Sequence, residues 1–215
     1  MKVTKGYIDQ RNALLGQRIV NALEKRGYEG YYVNSSEEAK AKVLELIPEG
    51  SSVSWGGSMT LDDMGIKQSL HDGNYKVLDR ELAKSPEERQ EIMKKALTCD
   101  VFLSSVNAIS QDGQMVNIDG NGNRIAAIAY GPKTVILTVG MNKVEPNLEA
   151  ARARARNYAA PINALKLGID LPCTKAGICM DCMHPQCACA EIVEMRMNRI
   201  PGRIKVILIG EEMGL

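Results

Sequence analysis

Val135-Ile136-Leu137-Thr138-Val139, running straight into Gly140-Met141-Asn142-Lys143, is the stretch that decides the fold. A continuous apolar run of this length suits a strand covered on both faces, as strands of parallel sheets are. Working outward, strand-like and helix-like segments alternate. A helix is expected from about Lys5 to Arg26, with Leu14, Leu15, Ile19 and Leu23 recurring at helical spacing and Gly27 ending it. Gly30–Val33 reads as a strand, and Ser35 with Glu38 as a capping box for a helix reaching Ile47. Ser51–Trp55 and Tyr75–Leu78 are further strands. Ser85-Pro86-Glu87-Glu88 starts a helix that ends near Cys99. Val101–Val106 and Gln114–Ile118 read as strands on either side of Asp112-Gly113. Leu148–Leu167 reads as a helix with a break at Pro161, and Lys205–Ile209 as a last strand that closes the sheet. The expectation is an α/β fold: an open, mostly parallel sheet with helices on both faces. It forms a single domain over residues 1–215, with a cysteine-rich loop at 172–190 as a small appendage.

Composition narrows the function classes. The chain has 215 residues, a formal net charge of +1 and 4% aromatics. That balance gives no basic footprint for nucleic acid or an anionic membrane, and few rings on which bases would stack. No stretch approaches the roughly 20 apolar residues that span a bilayer. Met1–Gln10 lacks the apolar core of a secretion signal. The expectation is a cytoplasmic protein with no nucleic-acid or membrane partner. In that compartment thiols stay reduced, so clustered cysteines read as metal-binding or redox-active.

Five of the six cysteines lie within 17 positions: Cys173, Cys179, Cys182, Cys187 and Cys189. The Cys179-x2-Cys182 element lets two thiolates reach one metal, and its neighbours can complete a tetrahedral set. Zinc and iron–sulfur clusters both accept four thiolates, and His184 can substitute for one. Pro172, Gly177 and Pro185 keep the segment irregular. Cys99, with no such neighbours, reads as a core thiol.

Three other segments can meet a small anion. Gly56-Gly57-Ser58, with Thr60 two residues on, follows a strand and opens a helix, presenting free backbone N–H groups at its positive end. Asp119-Gly120-Asn121-Gly122-Asn123-Arg124 combines a tight turn with a planar guanidinium. By itself it reads as a loop with a salt-bridged surface arginine. Asn142-Lys143 follows the central strand; an exposed structural lysine is the commoner explanation there. Arg152, Arg154 and Arg156 alternate with alanine, placing them on different helix faces, and read as solvated surface. With only two histidines, an acid or base would be a carboxylate, and Glu37, Asp62, Asp63, Asp119 and Glu145 are not ranked by sequence.

Together these segments resemble the LUD, or lactate-utilisation, family over nearly the whole chain. The carriers are Gly56-Gly57-Ser58 with Thr60-Leu61, Gly65-Ile66, the Asp119–Arg124 loop, Gly131-Pro132, Gly140-x-Asn142-Lys143 and the cysteine tail. The resemblance implies a fold of the NagB/RpiA/CoA-transferase type. It maps the tail's ligand set to Cys173, Cys179, Cys182 and Cys189, leaving Cys187 as an extra thiol. The implied cofactor is an iron–sulfur cluster (4Fe-4S) or zinc. The implied role is an accessory or electron-transfer component of organic-acid metabolism, working beside iron–sulfur partner subunits and able to form a homo-oligomer. The competing readings are an isomerase- or transferase-type enzyme with a structural zinc, and an assembly partner with a vestigial cleft.

Overall fold

A computed structural model describes residues 2–215, with side chains from residue 4; only Met1 of the N-terminal segment read above lies outside it. The first half runs α1 (Lys2–Lys25), β1 (Glu29–Val33), α2 (Ser36–Glu45), β2 (Ser52–Trp55), α3 (Met59–Asp63), α4 (Ile66–Asp72) and β3 (Lys76–Leu78). Then come α5 (Pro86–Lys95), β4 (Val101–Ser104), β5 (Ala108–Ser110), β6 (Met115–Asp119), α6 (Asn123–Ala129), β7 (Thr134–Gly140) and β8 (Val144–Glu145). The chain finishes with α7 (Leu148–Arg154), α8 (Ala160–Lys166), α9 (Pro172–Ala176), β9 (Glu191–Met195) and β10 (Ile204–Ile209).

Six strands form one sheet in the order β1-β10-β7-β4-β2-β3, and every pairing in it is parallel. The deciding run behaves as its pattern requires. Val135, Leu137 and Val139 face one buried cluster, which holds Ile19 and Leu23 of α1 and Ala127 and Ile128 of α6. Ile136 faces the other, with Ala39 and Val43 of α2 and Leu61, Ile66 and Leu70 of α3 and α4. Successive side chains of a strand point to opposite faces, so both faces are apolar and both carry helices. β10 is built the same way but does not close the sheet at an edge. It lies between β1 and β7, because its own two apolar faces demand cover on both sides.

The local signals work as caps. The Ser35 hydroxyl accepts the Glu38 N–H and the Glu38 carboxylate answers at Asn34 N; Ser85 and Glu88 do the same at α5, with Lys84 N as the second donor. At Pro161 the expected break takes another form. The missing N–H is absorbed by a π-helical turn, Ala155–Ala159, that joins α7 to α8.

The structure departs from the expected single sheet in one respect. The segment Val101–Val106 stops being strand at Ser104, and β5 and β6 join β8 and β9 in a second, four-stranded sheet ordered β8-β5-β6-β9. β9, in a region read as loop, pairs antiparallel with β6 from Met115↔Met195 to Asp119↔Glu191. The cysteine segment also begins with the short helix α9 rather than as irregular chain throughout. Cys99 is buried, donates to the carbonyls of Ala96 and Val101, and is pushed up to about 11 by burial. Among the described residues no helix is long and apolar enough to cross a membrane.

Candidate functional site

The carboxyl ends of β2, β4 and β7 and the β6–α6 loop converge on one cleft of about 420 Å³. Ligands of open parallel sheets bind at that end of the strands. Of the sequence-predicted residues, Gly57, Ser58, Asp119, Asn121, Asn123, Arg124 and Lys143 line it. Gly56, Thr60 and Asn142 stand behind that wall. A Cβ on Gly56 would lie 2.7 Å from Cγ and Cδ of Arg124, so the glycine lets the arginine stem cross the strand end. The Thr60 hydroxyl accepts from Lys143, and the Asn142 amide ties down the chain's end through Met213 N and Gly214 O.

Lys143 is not the exposed lysine of the sequence reading. Only 3% of it is accessible. A short 3-10 turn after β7 points it inward, where Nζ donates to Thr60 Oγ1 at 3.0 Å and Ser105 Oγ at 2.9 Å. Among the described residues no carboxylate pairs with it. Burial first, then the charges of Arg154 and Arg124, lower its pKa to about 7 against a weaker opposing pull from Asp63. A lysine so placed has its neutral amine available near neutral pH.

Arg124 is likewise no surface arginine. Its side chain is 11% exposed, and its guanidinium serves four protein acceptors. Nη1 donates to Ser105 O and Asn117 Oδ1; Nη2 donates to Asn107 Oδ1 and to Ile118 O at 2.7 Å. It therefore fastens the end of β4 to the second sheet, and its planar fork is spent on that task. Gly122, at φ 72°, allows the turn that aims it. Asp119 organises the same loop: Oδ1 accepts Gly120 N, and Oδ2 accepts the N–H groups of Arg124 and Ile125. It is the one side-chain carboxylate among the cleft-lining residues. Of the other carboxylates left unranked by sequence, Glu37, Asp62, Asp63 and Glu145 do not line the cleft.

Sequence reasoning missed Arg80, Arg89 and Lys166, which add cationic side chains to the wall. Arg80 sits in a 3-10 turn just past β3, again a strand's carboxyl end, and that position was the available signal. Its Nε is buried with no hydrogen-bond partner. Nη1 reaches Met93 Sδ, and the Asn123 amide oxygen, in the orientation that suits its neighbours, accepts from Nη1 at 3.0 Å. Burial and the adjacent Arg89 lower its pKa. Arg89 donates to the Arg80 carbonyl, and Lys166 lies 3.8 Å from Asp62. Among the described residues Arg80 Nη2 makes no hydrogen bond within the protein, and Arg89 and Lys166 likewise keep donors to spare.

The basic helix run also needs correction. Arg152 is outward and Arg156 is half-buried against the cysteine segment, but Arg154 is buried and donates to Asn142 O and Asn107 O, bracing the turn that carries Lys143. The two-residue spacing put one of the three on the core face.

All five clustered cysteines line a second cavity of about 210 Å³, together with Arg156, Leu171 and Ile192. Its wall is shared with the cleft through Ile118, Cys187, Ala188 and Ala190, so the two spaces adjoin. The donor chemistry suits a thiophilic metal or cluster. Cys189 is pushed up to about 11 by burial and then by the four other thiols, a repulsion that a bound cation would reverse. Arg156 donates to Cys179 Sγ at 3.6 Å and pairs with Asp181. The thiols do not close into a coordination shell by themselves. Among the described residues no group of three or more His, Cys, Asp or Glu stands close enough to hold a metal ion.

The LUD domain family profile matches residues 16–209. Among solved structures, a DUF162 family protein from Deinococcus radiodurans superposes with a TM-score of 0.54 at 11% identity, over 92% of this chain and 98% of that one. That likeness is one of fold. Ribose 5-phosphate isomerase A from Neisseria gonorrhoeae overlaps more loosely, with a TM-score of 0.34 at 16% identity over 62% of this chain and 65% of that one. No curated protein matches the sequence.

Proposed function

The chain belongs to the LUD-domain family, and from that premise we propose that it serves lactate or related organic-acid metabolism by binding a small carboxylate in the cleft. The observation that carries this reading is the imbalance of charge there. Arg80, Arg89, Lys143 and Lys166 face a space whose single side-chain carboxylate, Asp119, already accepts three backbone N–H groups. Arg80 keeps Nη2 without a hydrogen-bond partner among the described residues, a charged donor suited to a carboxylate oxygen.

In this proposal Cys173, Cys179, Cys182 and Cys189 hold an iron–sulfur cluster (4Fe-4S) or zinc in the adjoining cavity. A cluster would supply a one-electron relay toward iron–sulfur partner subunits, and zinc would staple the tail. This chain's own residues do the rest: Arg80 orients the anion, Arg124 and Asn107 fix the strand ends, and Cys187 and Ala188 wall the cleft toward the thiols. A second reading, an isomerase- or transferase-type enzyme with a structural zinc, is favoured by Lys143, whose buried amine suits proton or carbonyl chemistry.

Anaerobic purification with iron, sulfide and zinc analysis separates a relay from a staple. Thermal-shift measurement with lactate, pyruvate, acetate and sugar phosphates tests the cleft. Small carboxylates are expected to raise the melting temperature. A shift with sugar phosphates alone would favour the second reading, and no shift with any of them would remove both.

A further inference from the structure

We propose that Lys143 forms an imine with the carbonyl of a 2-oxo acid held in the cleft, an inference that rests on the carboxylate-binding reading above. The geometry comes first. Lys143 lines the cleft at the meeting of the β2, β4 and β7 ends, and its Nζ is held by two hydroxyls rather than by a carboxylate. Hydroxyls can donate to an amine as well as accept from an ammonium, so they hold either protonation state. A structural lysine buried this deeply is expected to have an acidic partner, and this one has none within ion-pair distance among the described residues.

The charged groups that face it from the packed elements are Arg154 on α7, Arg124 on α6 and Asp63 on α3. Two cations against one carboxylate of weaker pull favour the neutral amine. At pH 7 about half of a group titrating near 7 is neutral, against about one in 2,500 for an ordinary lysine. Arg80, on the same wall and with Nη2 unpaired, suits the carboxylate that lies beside the carbonyl in a 2-oxo acid. An amine for the carbonyl and a guanidinium for the carboxylate are the two recognition elements such a molecule needs.

The step balances without an oxidant or reductant. The Nζ lone pair attacks the carbonyl carbon, the C=O π pair moves to oxygen, and one Nζ proton passes to that oxygen to give the carbinolamine. Its hydroxyl then takes up the second Nζ proton and leaves as water while the nitrogen lone pair forms C=N. Ser105 and Thr60, already hydrogen-bonded to Nζ, are placed to pass the protons. A 2-hydroxy acid has no carbonyl, so it binds without reacting, and the lysine distinguishes the oxidised from the reduced acid.

The test is reductive trapping on the intact protein. Incubation with pyruvate and cyanoborohydride at neutral pH is followed by mass measurement and peptide mapping, beside a calorimetric titration with pyruvate alone. The expected result is a single adduct, the ligand less one oxygen atom, on Lys143. It is absent with lactate and absent in Lys143→Arg. Pyruvate binding with no adduct, or labelling spread over exposed lysines such as Lys133, would overturn the covalent step and leave the anion cleft standing. Neither binding nor adduct would overturn both. The wild-type map decides the question even where the variant fails to fold.

Discussion

Replacing Lys143 by Met makes a stability prediction whose sign reverses intuition about removing hydrogen bonds. In the folded chain the ammonium loses its proton near pH 7; in the unfolded chain it does so near its ordinary 10.5. Between those values the unfolded state binds the extra proton, so stability rises with pH by about 1.4 kcal/mol per unit. The lysine therefore costs the fold about 4 kcal/mol at pH 7, and this cost vanishes only above about 10.5. Met fills a similar volume and keeps no charge. It forfeits two hydrogen bonds, to Thr60 and Ser105, worth about 1 kcal/mol each. The Met variant should thus be about 2 kcal/mol more stable than the natural protein at pH 7 and about equal to it at pH 9. Urea unfolding of both proteins at pH 7, 8 and 9 reads this directly, since the other titrating groups are common to both and cancel in the difference. A difference that stays constant across the three values, or a variant less stable at pH 7, would refute the buried, unpaired state of this amine.

Other perturbations separate structural from ligand-binding roles. Arg124→Met removes four charged hydrogen bonds that join the two sheets and should cost about 3 kcal/mol or more in urea unfolding, with bound metal unchanged. Gly56→Ala places a methyl 2.7 Å from the Arg124 stem and should cost about 1–3 kcal/mol by thermal denaturation. Gly57→Ala meets only Arg80 Nη2, at 3.1 Å, and should leave the melting temperature nearly unchanged while weakening carboxylate binding by calorimetry. Cys179→Ser should release metal and loosen the 172–190 segment, whereas Cys187→Ser should keep the metal content measured by elemental analysis. Equal content in both variants would refute the four-thiol assignment.

Much of the fold was legible because its physics is local. Ser35 and Ser85 sit where backbone donors need acceptors, and the apolar runs of β7 and β10 can be satisfied only by cover on two faces. The second sheet was not legible. β8 has two residues, and β9, Glu-Ile-Val-Glu-Met, draws its stability from partners more than 70 positions away at Asn117 and Ile118. The site divides in the same way. Glycine turns marked three strand ends correctly, because a backbone that approaches side chains closely must lack a Cβ there. Burial of Lys143, Arg124 and Arg154 comes from tertiary packing that no spacing encodes. Arg80 was discoverable in principle, as a cation one turn beyond a strand's carboxyl end. It went unseen because no glycine accompanies it and its cap, Asp79 accepting from Glu81 N, closes only a single 3-10 turn.

The most direct test of the central claim is calorimetric titration of the natural protein and of Arg80→Met with pyruvate and lactate at pH 7. Saturable binding of at least one acid to the natural protein, weakened about tenfold or more when the guanidinium is lost, is the predicted result, since a charged hydrogen bond contributes roughly 1.5–3 kcal/mol. Equal affinity in the two proteins, or no heat of binding in either, would contradict it.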